Sequence, residues 1–537
     1  TKHHLRMHEG RDGALELHPW NHALRELPHA DFHEALGAWK ASLRKDYAHI
    51  FDAVLGRPLD VLEQCVTIDV AGDAADLVGV RDVGGLSAWL HQLHQQRCKG
   101  TEATTPTAAL LTGPPAAGKT SLLNQVIVHT LNRADTELVP ILVKVQLLQT
   151  RLLGDPDAFA TAWNWIDAFL RFEHNGPTYL MLRQSMASRR ALLLLDGLDE
   201  GGEKRAQIER HITEVLAPQG HVLLATSRPD GIDDERYASF RRLGLKPLSV
   251  DQQRQALEQR LGAERASSLL PYLERMPVDE RTQERITANP LMLSMVASIF
   301  ELRSGLAMPE TVVDLYTQAT AAMLGRAGGG AAGELAPLLQ AVFFEAQAAN
   351  QRVITEKHLR AAAQRVGDSE SALDLLRSLA LAERLPLLSL LQSRPLRLQS
   401  SHLSIQEYYA ARAICEGAVL PKRPWELPVF WANTVRLGLD MGDAFCQGLL
   451  RSSGKALQGP SVTARIRGDR HTSALALGAV VSAAPQLQSL NVDGHALQID
   501  KLKGTKPTKK IDLSNKGLGV APTIIIASCI KGNGALK

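Results

Sequence analysis

The chain has 537 residues, with 60 Lys and Arg against 57 Asp and Glu for a net charge of +3, and 45% of its residues are hydrophobic. That length predicts about three to four domains of ordinary globular composition, and the near balance of charge gives no indication of nucleic acid. No apolar run reaches the ~18 residues of a membrane span, no secretory pattern opens the chain, and the five Cys (65, 98, 415, 446 and 529) have no metal-binding spacing, so a cytoplasmic, reducing location without a membrane partner is expected.

The first residue is not Met, which suggests a fragment or a processed chain. Residues 1–75 read as a helical lead-in of unknown role. Within it, Leu36, Trp39, Leu43, Ile50, Phe51 and Val54 recur at helical spacing over 32–55. Residues 101–107 (TEATTPT) read as a loop, and 107–112 (TAALLT) as a short buried strand. Gly113, Pro114, Pro115, Ala116, Ala117, Gly118, Lys119 and Thr120 then complete the pattern G-x-x-x-x-G-K-[ST]. The two glycines let successive N–H groups converge on a phosphate. Lys119 reaches the β- and γ-phosphates, and the Thr120 hydroxyl is offered to Mg²⁺. Residues 121–132 have helical periodicity, so Ser121 lies in a first helical turn whose positive end faces the phosphates. Pro114 and Pro115 remove two backbone donors, which bears on hydrolysis more than on binding.

Residues 190–200 read RALLLLDGLDE. The unbroken apolar run is that of a central parallel strand covered on both faces. Asp196 ends the strand, placed to hold Mg²⁺, and Asp199 and Glu200 follow where a water could be oriented or deprotonated. A third strand, 221–226, leads to Ser227, Arg228 and Pro229, and the forked guanidinium of Arg228 suits sensing of a γ-phosphate. No Asn-Lys-x-Asp motif for guanine occurs, which favours adenine and hence ATP or ADP.

Further on, 290–300 suits a buried helix, and the Gly-rich stretch 325–334 marks the clearest break. Residues 334–367 alternate helical patterning with polar faces. Three prolines over 421–428 mark another boundary, followed by one or two helices over 425–450. Near the C-terminus, Leu487, Leu490, Val492 and Leu497, then Ile511, Leu513 and Leu518, fit a leucine-rich repeat twice at an offset of 21 residues, with His495 and Lys516 where Asn is usual. Two unrelated amphipathic strands are the alternative. Two such units cannot bury a core alone, so a longer array is expected. The lysines at 501, 503, 506, 509 and 510 read as a solvated run before they read as a binding patch.

The segments LLTGPPAAGKTSLL, LLLLDGLDE and ATSRP resemble the NACHT branch of the STAND nucleotide-switch ATPases. Residues 139–147 are similar to that family's second strand. Residues 248–261 and 289–293 (NPLML) resemble its helical domain, 308–316 continue the match, and 402–411 (HLSIQEYYAA) resemble the close of its winged-helix domain. Residues 77–81 look like the segment that flanks the adenine. The likeness spans roughly residues 76–415. It implies an α/β P-loop NTPase domain with a parallel sheet (76–245), a helical domain (246–323), a winged-helix domain (334–420), a second helical segment (421–485) and partial leucine-rich repeats (486–537). It also implies that Pro290 lies against adenine and that His402 contacts the β-phosphate of ADP. The implied function is a weakly hydrolysing ATP/ADP switch that senses a ligand on its repeats and oligomerises on exchange. A cycling remodelling ATPase is the alternative, but no second Arg stands out as a finger from a neighbouring subunit. A scaffold with a structural nucleotide is the other.

Overall fold

The computed structural model describes residues 7–9, 15–17, 27–530 and 533, apart from 53, 66–67, 73–76, 78–79, 99–106, 231, 280–282, 303–307, 328–330, 368–369, 458, 507, 509 and 515. The loop read at 101–106 and part of the segment at 77–81 lie outside the described residues.

A short antiparallel pair, β1 (Met7–Glu9) with β2 (Leu15–Leu17), comes first. Helix α1 (His29–Tyr47) follows, then an antiparallel hairpin of β3 (His49–Asp52) and β4 (Arg57–Asp60). The helical spacing read over 32–55 therefore ends at Tyr47. The reason is the turn: the Asp52 carboxylate accepts from the N–H groups of Val54 and Leu55, at 2.9 Å each, and so competes with helix continuation. Ile50, Phe51 and Val54 belong to this hairpin.

The central sheet has six strands in the order β5–β10–β6–β9–β8–β7. They are β5 (Val70–Gly72), β6 (Ala108–Thr112), β7 (Val139–Lys144), β8 (Ala191–Asp196), β9 (Val222–Ser227) and β10 (Arg241–Leu245). All neighbours are parallel except β5, an antiparallel edge on β10. The parallel sheet is thus mixed at one edge. Alternate residues feed two cores: Ala109, Leu111, Leu192 and Leu194 face one, Ala108, Leu110, Leu193 and Leu195 the other. This is why these strands read as unbroken apolar runs. The strand read over 139–147 stops at Lys144, because Val145 opens a helix.

Helices α2 (Val83–Cys98), α3 (Lys119–Asn132), α4 (Val145–Gly154), α5 (Pro156–Ala160), α6 (Trp165–Glu173), α7 (Gly176–Ala187) and α8 (Arg205–His211) surround the sheet. Helix α1 joins them. Trp39 Nε1 donates to the Pro140 carbonyl at 3.1 Å and Arg44 to that of Leu131 at 2.7 Å. Next come α9 (Val250–Leu261), α10 (Ala263–Leu273), α11 (Pro290–Leu302) and α12 (Val312–Gly325). A Ser249–Gln252 capping box starts α9.

The following unit contains α13 (Ala331–Ala348), β11 (Val353–Thr355), α14 (Glu356–Val366), α15 (Ser371–Leu381), β12 (Leu388–Gln392) and β13 (Arg397–Ser400). Its strands pair antiparallel in the order β11–β13–β12. Helix α16 (Leu403–Cys415) is buried along nearly its whole length and leads to α17 (Ala432–Asp440) and α18 (Asp443–Ser452).

The C-terminal part runs β14 (Ser461–Ala464), α19 (Arg470–Ala483), β15 (Ser489–Val492), β16 (His495–Gln498), α20 (Ile499–Leu502) and α21 (Val520–Ile530). Leu490 and Val492 do sit on a strand. Its parallel partner is β14, with Ser461 opposite Ser489. The second leucine pattern forms no strand: Ile511, Leu513 and Leu518 lie in irregular backbone, half-buried against the core. The 21-residue register fails because β16 occupies the edge it would need. Asp493 and Gly494, both at positive φ, turn the chain back onto β15. Asp-Gly is a strong signal for such a hairpin. Among the described residues no helix is long and apolar enough to cross a membrane.

One buried ion pair ties the β3–β4 hairpin to the helices behind it. Asp52 meets Arg260 at 2.5 Å, and Arg260 also bonds Glu301, Ser294 and Ser298. Removing Asp52 leaves Arg260 with Glu301 alone and takes the acceptor from the Val54 and Leu55 N–H groups. Asp52→Ala should therefore lower unfolding stability by about 3–5 kcal/mol, measured by urea denaturation.

Candidate functional site

The C-terminal ends of β6, β8 and β9 converge on one cavity of about 240 Å³. Its rim is the loop after β6. Gly118 adopts φ +89°, and a Cβ there would lie 2.3 Å from Ile68 Cδ1, so only glycine fits. This turn aims the N-terminus of α3 at the cavity. Lys119 Nζ donates to the carbonyls of Gly113 (2.8 Å) and Pro114 (3.0 Å), holding the loop closed on itself. Burial outweighs the neighbouring Asp199, Asp196 and Glu200 and lowers the Lys119 pKa.

Thr120 Oγ1 donates to Asp196 Oδ2 at 2.9 Å, and Thr226 Oγ1 to Asp196 Oδ1 at the same distance. The Gly197 N–H in turn donates to Thr226 Oγ1. The hydroxyl and the carboxylate read as metal ligands are therefore adjacent. Both are hard oxygen donors, the type that Mg²⁺ prefers. Among the described residues no group of three or more His, Cys, Asp or Glu could hold a metal.

The two acids after Asp196 are paired differently. Asp199 meets Arg228 Nε at 3.1 Å and accepts from its backbone N–H. Burial pushes Asp199 up, yet Arg228 and Lys119 together hold it below its usual value. Glu200 receives two bonds from Arg352 Nη1, at 2.7 and 2.9 Å. Burial raises Glu200, with the charges of Asp199 and Asp196 adding to the rise and Arg352 opposing it.

The opposite wall comes from the helices. Asn289 Nδ2 donates to the Pro115 carbonyl at 2.9 Å, while its Oδ1 accepts from the N–H groups of Leu291 and Met292. This joint fixes the start of α11 to the loop and sets Pro290 near Gly118. Ile50, Phe51, Ile68 and Leu293 make that end apolar. Cys65 also lines it; burial pushes its thiol up to about 11, so it is protonated at neutral pH.

His402, at the start of α16, completes the lining. Ala116, Ala117, Gly118, Lys119, Thr120, Ser121, Asp196, Asp199, Glu200, Arg228, Pro290 and His402 are thus brought together. Gly113, Pro114 and Pro115 form the outer part of the loop and do not line the cavity. Sequence reasoning missed Arg352 and Glu407. Glu407 is fully buried on α16 and accepts from Arg228 Nη1 and Asn433 Nδ2, both at 2.6 Å. A signal was present for it, the single acid in a helix that is mostly apolar and aromatic. Nothing in the sequence around Arg352 marked it.

No family model matches the chain, and no curated protein sequence matches it. Solved structures that resemble it in part include Cdc6p of Pyrobaculum aerophilum, at 11% identity over 60% of this chain and 93% of that one, TM-score 0.25. A signal transduction ATPase with a tetratricopeptide repeat sensor from Pyrococcus horikoshii is 9% identical over 66% and 49%, TM-score 0.30. PCH-2 of C. elegans is 11% identical over 45% and 67%, TM-score 0.26. Scores this low assign no family.

Burial lowers the His402 ring to about 4, with Arg352 adding to the shift and Asp52 opposing it. The same cause takes His211 to about 4. An unfolded ring titrates near 6.5. Between 6.5 and 4 the folded chain therefore binds fewer protons than the unfolded one. Stability should be full above this window and fall as pH drops through it. His402→Gln should flatten that slope in urea titrations between pH 6.5 and 4.

Proposed function

We propose that the cavity binds an adenine nucleotide, ATP or ADP, with Mg²⁺, and that the chain is a nucleotide-dependent switch. The observation that carries this reading is one constellation around one cavity. A phosphate-binding loop, a Thr120–Asp196 contact at 2.9 Å and the acids Asp199 and Glu200 come from the sheet, and His402 comes from another unit. In this reading Lys119 and the N–H groups from Ala116 to Ser121 hold the phosphates. Thr120 and Asp196 hold Mg²⁺. Asp199 and Glu200 act on water, and Arg228 senses the γ-phosphate. Pro290 and the apolar end of the cavity take the base.

Neutral His402 can donate one ring N–H to a β-phosphate oxygen, so ADP would hold α16 against the sheet. The unit of α13–α15 with β11–β13 is then the winged-helix domain of the resemblance. Exchange to ATP would unseat it and expose a face for self-association. Sensing falls to the C-terminal part around β14–β16, where a ligand or partner would bind. Hydrolysis is weak and serves to reset the switch. In that step a water oxygen bonds to the γ-phosphorus and its proton passes to Glu200. The bond from phosphorus to the β–γ bridging oxygen breaks, and that oxygen leaves on ADP with the electron pair.

The first test is the nucleotide released by heat from the purified chain and resolved by chromatography. Stoichiometric ADP is expected, and an empty site with rapid ATP turnover would instead favour a cycling ATPase. Lys119→Ala should weaken ADP binding by about 10- to 100-fold, the range for one charge-assisted hydrogen bond, measured by calorimetry. Asp196→Asn should remove the Mg²⁺ dependence of ATP binding in the same titration. A phosphate oxygen at the His402 ring should also raise its pKa above the value of about 4 when ADP is added, seen by NMR of ¹³C-labelled histidine.

A further inference from the structure

The contact between the sheet and the α16 side of the molecule is built from two crossed ion pairs. Each unit sends one arginine onto a carboxylate of the other. Arg352, just before β11, engages Glu200, and Arg228, just after β9, engages Glu407 on α16. All four side chains are withdrawn from solvent, Glu407 completely. Asn433 on α17 holds the second oxygen of Glu407 and anchors that acid to the C-terminal helices. Beside the Arg228–Glu407 pair a gap of about 10 Å³, bounded also by Asp199, Leu403 and Phe430, has room for about one water.

The two groups engaged from the sheet side are the two that hydrolysis would need free. Both Glu200 oxygens accept from Arg352 Nη1, so a water could reach that carboxylate only by displacing the guanidinium. Arg228 has its Nε on Asp199 and its Nη1 on Glu407, so two of its three nitrogens are already engaged by protein carboxylates. Arg352 also keeps a buried Nε without a hydrogen-bond partner, so its seat on Glu200 is not saturated.

We propose that Arg352 and Glu407 are positioning residues that hold the nucleotide site inactive while the α16 side is seated. Arg352 occupies Glu200, Glu407 occupies Arg228, and unseating frees both at once. This rests on the reading of the cavity as a nucleotide site. It adds that closure itself, and not only the nucleotide bound, suppresses hydrolysis.

The test uses the full chain and two readouts, release of a fluorescent ADP analogue in stopped flow and steady-state phosphate production. Arg352→Gln and Glu407→Gln should each speed ADP release by about tenfold or more, since each breaks a buried pair, and both should raise phosphate production. Arg352→Lys should fall between wild type and Arg352→Gln, because it keeps the charge and loses the planar, weakly hydrated guanidinium. Adding Glu200→Gln to Arg352→Gln should keep the fast release and abolish phosphate production.

Unchanged or slower release and turnover in a folded Arg352→Gln chain would overturn the proposal and make Arg352 a nucleotide ligand or a purely structural group. Should Arg352→Gln fail to fold, Glu407→Gln decides alone, since it keeps the shape and the contact with Asn433. A wild-type chain that takes up no ADP analogue would overturn the nucleotide reading and this inference together. Normal uptake with unchanged variants would sink this inference only.

Discussion

Glu407 is a carboxylate with no access to solvent, and its demand for partners organises the molecule. A buried charge is tolerated only when its remaining lone pairs are satisfied in good geometry. Glu407 meets that demand with Arg228, which belongs to the sheet, and Asn433, which belongs to the C-terminal helices. Three regions far apart in sequence are therefore held to one arrangement by one side chain. His402, five residues before Glu407 at the start of the same helix, lines the cavity from that arrangement.

Around this point the charges form a ledger. Lys119, Arg228 and Arg352 stand against Asp196, Asp199, Glu200 and Glu407. With Lys144, which acts on Asp196, Glu200 and Arg352, the acids and bases balance in surroundings from which water is largely withdrawn. Burial raises Glu200 and the basic partners hold Asp199 down, so the two neighbouring acids are driven in opposite directions. Separating two carboxylates in this way is how a site divides the roles of proton acceptor and fixed charge.

The parallel sheet and the loop beside it were legible because their signals are local. The loop 113–120, the apolar run before Asp196 and the tip of the strand at Arg228 each state their geometry within ten residues. Asp196 and Thr120 could be paired from sequence because the motif fixes which strand ends face the loop. The second unit's contribution was only half legible. His402 was found through a resemblance, while Arg352 carries no local pattern, and its meaning lies wholly in a contact across 152 residues. The hairpin at 49–60 was lost for a related reason. Its apolar residues keep a helical spacing, while the side chain of Asp52 folds back on Val54 and Leu55 and caps a turn there. At the C-terminus the leucines of β15 were placed on a strand correctly, but the Asp493-Gly494 turn was the stronger signal for what lies beside them.

That turn has a further consequence. A stack of parallel strand–helix units grows by adding each new strand to the free edge of the last, and β16 closes that edge with a strand of opposite direction. The four-residue strand thus does the work of an end plate. It satisfies the hydrogen bonds of β15 and becomes the outer edge itself, and an edge of only four residues offers a foreign strand little to pair with. Growth of the stack remains geometrically open only on the side of β14.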